Sequence, residues 1–349
     1  MSLRTCTLAC LAALGAATAS AQEWIAGVGF RTFFDNREYS GMGFDGSKTF
    51  FAARLTPEAG LRWAECNRLM AAVDLMQDFG DGSTFLTEAK PQIWYQYETP
   101  RVLAAAGIFS RTKLRGDYGE AFFDRAYAFY NNRLQGVMGQ YRSEGGDFVE
   151  LAIDWEGMQS AERRERFRIL SAGELHGHRF YGGYALSVLH FAKTSAPAAD
   201  EGIVDHILVN PYAGLRFSAF FDFDIRLGYL QSLQRDRIAE GGWEAPKGGV
   251  LDIRFSRWGL SLGNMLYAGE NQMPFYDRYS GALYSGCAFF GTRDHIYNRT
   301  DLSYGNSFFG GTLDIRAGIL FHYDGVGLGT QQVLTLSVKL EKIFGRQAK

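Results

Sequence analysis

Apolar and polar residues alternate with a period of two along most of the chain. From 51 to 63, Phe51, Ala53, Leu55, Pro57, Ala59, Leu61 and Trp63 share one side, and Ala52, Arg54, Thr56, Glu58, Gly60 and Arg62 share the other. Successive side chains of a strand point to opposite faces, so this pattern predicts a strand with one apolar and one charged face. In 87–98, Glu88, Lys90, Gln92, Gln96 and Glu98 oppose Ala89, Pro91, Ile93, Tyr95 and Tyr97. In 222–234, Asp222, Asp224, Arg226 and Ser232 oppose Phe223, Ile225, Leu227 and Tyr229. The segments 313–322 and 331–344 repeat the pattern.

Carried along the whole chain, the pattern predicts strands at 23–34, 49–63, 68–79, 87–98, 101–110, 133–142, 147–157, 167–176, 179–192, 206–217, 222–234, 248–256, 260–268, 295–305, 311–323 and 331–344. In 101–110 and 260–268 neither face is clearly polar. The strands are longer than the roughly 5–6 residues usual in a soluble sandwich. They suit the roughly 9–11 residues of a tilted membrane-spanning strand. Tight connections (64–67, 99–100, 143–146, 177–178, 218–221, 257–259) alternate with long ones (35–48, 111–132, 193–205, 235–247, 269–294). Short turns on one side and long loops on the other mark a closed transmembrane barrel. The expected fold is therefore all-β: a single antiparallel barrel of about sixteen strands, with 14–18 compatible. Short turns are periplasmic, long loops extracellular, and both termini periplasmic. Pro57, Pro91 and Pro211 fall inside strands on the apolar face and are read as bulges or bends.

Composition narrows the alternatives. The 349 residues are 46% hydrophobic and include 28 Phe, 18 Tyr and 42 Gly, which excludes a disordered chain. The formal charge of −2 leaves no basic face for nucleic acid. Arg4, the small and apolar run 5–18 and Ala19-Ser20-Ala21 read as a signal peptide over 1–21, leaving 22–349 as the barrel. Cys6 and Cys10 leave with that leader. Cys66 and Cys287 fall at opposite ends of the predicted topology, so neither a disulfide nor a metal site is expected.

The leader, the alternating strands, the short and long connections and the amphipathic last strand 333–344 resemble the porin-like outer-membrane β-barrels of Gram-negative bacteria. Such barrels often end on an aromatic residue, whereas here Phe344 is followed by five more residues, Gly345 to Lys349. The resemblance implies an outer-membrane location and passive diffusion of small polar solutes. It also implies a third outer loop that folds inward to set the width of the pore.

The candidate lumen residues follow from the face assignment and that loop. Arg54, Glu58, Arg62, Arg68, Asp74, Arg226, Arg254 and Arg316 fall on the polar face. The loop 111–132 adds Arg115, Asp117, Glu120 and Asp124 among six aromatic residues. Asp-Ile-Arg occurs three times, at 224–226, 252–254 and 314–316. Its charges read either as a polar ladder for solutes or as ion pairs bracing the wall. The aromatic loop 269–294 suits sugars, a partner lipoprotein or a lid packed on itself. The chain holds no G-x-S-x-G elbow and no H-E-x-x-H. The catalytic grouping the pattern offers is a pair of Asp294 and His295 at the outer rim near Ser303. The reading is a channel and not an enzyme, with no cofactor. A plugged scaffold barrel and an outer-membrane hydrolase are the alternatives. The expected partners are outer-membrane lipid, small polar solutes, and a second copy or a surface lipoprotein.

Overall fold

A computed structural model describes residues 22–43, 46–80, 82–239, 241–292 and 294–344. The predicted leader 1–21 and the tail after Phe344 lie outside the described residues. Sixteen antiparallel strands close into one barrel, each bonded to its neighbours in sequence and the first to the last. They are β1 (Glu23–Glu38), β2 (Lys48–Trp63), β3 (Asn67–Asp78), β4 (Glu88–Glu98), β5 (Val102–Ser110), β6 (Arg133–Arg142), β7 (Phe148–Gly157) and β8 (Arg166–His176). The second half comprises β9 (Phe180–Phe191), β10 (Val204–Ser218), β11 (Asp222–Asp236), β12 (Lys247–Arg257), β13 (Leu260–Gly269), β14 (Ile296–Phe308), β15 (Leu313–Tyr323) and β16 (Leu328–Phe344).

The apolar face turns outward. Trp24, Leu69, Ile93, Leu151, Leu227, Leu302 and Leu334 are all exposed, as a lipid-facing belt requires. The predicted strands stop short at several outer ends: β1 runs on to Glu38 and β16 begins at Leu328. Hydrophobic alternation ends where the apolar belt ends, while the hydrogen-bonded ladder continues above it.

The two strands of unclear polarity are explained by what covers them. On β5, Leu103, Ala105 and Phe109 face inward and are buried, as are Met265 and Tyr267 on β13. Long loops fold into the lumen against these faces, so apolar residues are stable on both sides of the wall.

The three strand prolines do not make bulges, which corrects the sequence expectation. The β2–β3 register is the same on both sides of Pro57, with Leu55 opposite Leu75 and Glu58 opposite Ala72. The β10–β11 register is likewise continuous across Pro211. Pro91 pairs with Val73 on one side and lies beyond the last β4–β5 pair on the other. Each proline sits where one neighbour makes no ladder bond, which removes the cost of its missing N–H. Among the described pairs a register shift occurs instead between Trp155 and Gly157.

The third outer loop, L3 (111–132), carries α1 (Gly119–Phe122) and α2 (Arg125–Tyr130). The seventh, L7 (270–295), carries α3 (Tyr276–Leu283). The two loops meet inside the barrel: Asp124 N–H donates to Ser285 O (2.8 Å) and Cys287 N–H to Glu120 O (2.7 Å). Gly286 permits the approach, since a Cβ there would stand 2.0 Å from Ala121 O.

Candidate functional site

L3 crosses the lumen and is tied to strands on several sides. Lys113 donates to Gln96 of β4 (2.8 Å). The Glu150 carboxylate of β7 accepts from Arg115 N–H, Gly116 N–H and Tyr118 O–H. Asp117 pairs with Arg226 of β11 at 2.7 Å, Glu120 with Arg299 of β14 at 2.6 Å, and Asp124 with Arg37 of β1 at 2.7 Å. Burial raises the affinity of Asp117 and Glu120 for protons, but the facing arginines outweigh it. Both carboxyls are therefore held below their ordinary range, Glu120 far below. Asp124 also caps α2 by accepting from Ala126 N–H (2.6 Å).

The predicted lumen residues separate by height. Arg54 is buried, pairs with Asp74 and donates to Tyr130 O in L3 (3.1 Å). Glu58 sits opposite Gly27 lower on the wall. Arg62 pairs with Glu23 and Arg68 with Glu341 at the periplasmic end. Arg115 lies over the Phe148 ring. Arg254 lines a periplasmic cavity of about 570 Å³, and Arg316 is exposed inside the lower barrel. The arginines and acids therefore do not form one ring. The sequence reading missed Arg37, Arg111, Glu150 and Arg299, which hold or flank L3. Their roles depend on which strand faces which part of the loop, and no local pattern carries that information.

L7 does not stand out as an aromatic platform. Phe289 stacks on Tyr297 and on His322, each at 4.8 Å between ring centroids. Tyr284 donates to Gln234 of β11 (2.5 Å). Nor does the rim bring Asp294, His295 and Ser303 together. His295 and Ser303 are eight residues apart along one extended segment, about 26 Å at the rise of a strand.

The outward face carries a different grouping. One lateral row, at the outer edge of the apolar belt, runs Trp155, Phe167, His190, Asp205 and Arg235 across β7 to β11. The next outward row below it is Ile153, Ile169, Val188, Ile207 and Leu233. The polar row thus stands one pleat above wholly apolar side chains. His190 Nδ1 lies 3.3 Å from Asp205 Oδ1. Arg237 donates to the same carboxylate through Nε (2.8 Å) and Nη2 (3.1 Å). Trp155 stacks on Phe167, and Phe167 lies 5.1 Å from the His190 ring. With Asp205 at Nδ1, the other ring nitrogen has no side-chain hydrogen bond among the described residues, the arrangement in which a carboxylate orients an imidazole. The sequence reading had placed Asp205 in a loop, so it could not see this pair.

A second outward cluster joins β16, β1 and β2 at the same end. Thr49 donates to Asn36 (2.6 Å), and Asn36 donates to Gln332 (2.5 Å) and Glu38 (3.0 Å). It contains no imidazole. Among the described residues no group of three or more His, Cys, Asp or Glu side chains is placed to hold a metal ion.

A family model for lipid A 3'-O-deacylase-type proteins matches residues 16–342. The chain belongs to that family. The expectation that it is not an enzyme is thereby overturned, because the family is named for an enzyme that removes acyl groups. No curated protein matches the chain.

Solved structures are similar in fold. OpdO of Pseudomonas aeruginosa is 10% identical with a TM-score of 0.53, over 91% of this chain and 97% of that one. An outer-membrane protein of Vibrio cholerae, OmpT lacking its loop L8, is 9% identical with a TM-score of 0.53, over 93% and 100%. The outer-membrane protein OprD of Pseudomonas aeruginosa is 10% identical with a TM-score of 0.50, over 91% and 94%. At such identity the likeness concerns the barrel alone. The deacylase-type chain is an outer-membrane β-barrel of porin-like architecture.

Proposed function

We propose that this barrel hydrolyses an ester-linked acyl chain of a lipid A-class glycolipid from its outward face. The observation that carries the reading is the His190–Asp205 pair directly above an apolar row. An enzyme acting on a lipid in the outer leaflet must present its base outside the barrel, at the height where acyl chains meet the headgroup. The acyl chain lies along Ile169, Val188 and Ile207, with the Trp155 and Phe167 rings beside the ester. His190 Nε2 takes a proton from water as the water oxygen attacks the ester carbonyl carbon. Arg235, on the same row, supplies positive charge to the developing oxyanion. The tetrahedral intermediate expels the sugar oxygen, which takes the proton back from His190. The products are a free fatty acid and a sugar hydroxyl. Membership of a deacylase-type family supports the same chemistry.

The test is mass spectrometry of lipid A in vesicles holding the folded protein. Wild type is expected to release one fatty acid per lipid A. Asp205→Asn is expected to slow release by about 10²–10⁴-fold, the usual span of general-base catalysis. Release from Asp205→Asn at the wild-type rate would overturn the assignment.

A second reading concerns the lumen and is compatible with the first. L3 acids tied to arginines on β11, β14 and β1 favour a constriction through which small polar solutes diffuse. Conductance in planar bilayers tests it. Steps that enlarge when part of 111–132 is deleted support a constricted channel, and a folded barrel without conductance overturns it.

A further inference from the structure

The wall of the lumen is shorter at β5 than on either side. Its last pairs are Ile93 with Ile108 towards β4 and Arg133 with Ser110 towards β6. Lys90 of β4 therefore has no β5 partner, and the chain leaves the wall at Arg111 to enter L3. A cavity of about 300 Å³ opens there between the wall and L3. That is the lower end of the range for small-molecule sites.

The charges lining it do not cancel. Lys90, Arg111, Arg133 and Arg166 face only two carboxylates, Asp154 and Glu156. Both carboxylates are already engaged. Asp154 holds Arg111 and accepts from Gln135 N–H (2.9 Å). Glu156 holds Arg166 and Arg168. The neighbouring Asp74 is taken by Arg54. Lys90 pairs with Glu88 of its own strand, which lies outside the cavity lining, and its ammonium has further N–H donors to offer. The Arg133 guanidinium has no ion pair and no side-chain hydrogen bond among the described residues, and the Gln135 side-chain amide is equally free. A partly buried guanidinium with no carboxylate paired to it is costly, and a bound anion reduces that cost. A guanidinium fork fits two oxygens of one oxyanion. The Tyr127 ring, stacked on Phe123 at 5.7 Å, borders the same cavity. It offers a flat apolar surface to the organic body of the ligand.

We propose that this cavity binds a compact organic acid, with its carboxylate on Arg133 and Lys90 and its body against Tyr127. The site faces the lumen from β4, β6, β7 and β8, on the opposite face of the wall from the outward row, so it stands or falls separately from the hydrolytic reading.

The test is calorimetric titration of the folded barrel in detergent, with benzoate as the organic acid and inorganic phosphate as the comparison. Benzoate is expected to bind saturably and more tightly than phosphate. Arg133→Gln should weaken benzoate at least tenfold, Arg133→Lys less. Arg101→Gln, at the periplasmic rim, should change nothing. Heat-modifiable migration shows that each variant is folded. If Arg133→Gln fails to fold, Lys90→Gln and Arg133→Lys carry the comparison. No saturable benzoate binding by folded wild type would overturn the site. So would equal losses in Arg133→Gln and Arg101→Gln. Phosphate binding as tight as benzoate would overturn the assignment to organic acids.

Discussion

Two histidines on adjacent strands show what the face of a barrel wall decides. His206 of β10 faces inward and is 7% exposed, under the Tyr284 ring of L7, with no side-chain hydrogen bond to either ring nitrogen. His190 of β9 faces outward, its side chain 27% exposed, with Asp205 on one nitrogen and the other free. Leu189, not His190, is the register partner of His206. One step along a strand thus separates an imidazole packed as a core side chain from one to which the hydrolytic reading gives proton transfer. Imidazole content alone is uninformative in a barrel. Parity and the register that supplies a carboxylate determine the role.

The comparison can be broken or sharpened by experiment. The largest effect belongs to the outward pair. His190→Gln should lower the rate of fatty acid release by about two to four orders of magnitude, with folding intact. On the inner side, Arg299→Met strips Glu120 of one of its two arginines. Removing one partner of a buried ion pair costs about 3 kcal/mol or more. The loss should appear as faster proteolysis within L3 while hydrolysis persists. Next in size, Gly286→Ala forces the L3 and L7 backbones apart at the Ala121 carbonyl. Overpacking of this kind costs about 1–3 kcal/mol, read as accessibility of Cys287 to a thiol reagent. His206→Leu, an apolar replacement of similar size, should cost less than about 1.5 kcal/mol in thermal stability.

The smallest expected effect is that of mild acid on L3. Asp117 and Glu120 have folded affinities for protons below their unfolded ones. Their contribution to seating L3 is therefore fully present above the ordinary carboxylate range, and is lost only as the pH falls through their lowered folded values. Protection of L3 from protease at about pH 5 should match that at neutral pH. Rising cleavage between those conditions would contradict the ion-pair account.

Much of the fold was legible because one rule, alternation against lipid, acts on every strand. The segments 51–63 and 222–234 show it directly. Where a second environment intervened, the rule weakened. Phe109 and Tyr267 are apolar on the inner face because L3 and L7 cover them. Asp35 and Arg37 extend β1 above the belt, where alternation has no apolar term. The inward folding of L3 was implied by the porin-like resemblance, and its acids were named, but their arginines on β11, β14 and β1 required register. The outward row was least visible. His190 and Asp205 are fifteen residues apart across a loop, and Asp205 precedes the point where apolar alternation begins. At the outer end of β10 the outward face turns polar at Asp205, so the alternation that marks the strand is lost there.

The most direct measurement is fatty acid release from lipid A by wild type, His190→Gln and His206→Leu in one set of vesicles, with mass spectrometry of the lipid. The account predicts that His206→Leu works at nearly the wild-type rate while His190→Gln is all but inactive. Equal rates for wild type and His190→Gln, or loss of activity in a folded His206→Leu barrel, would contradict it.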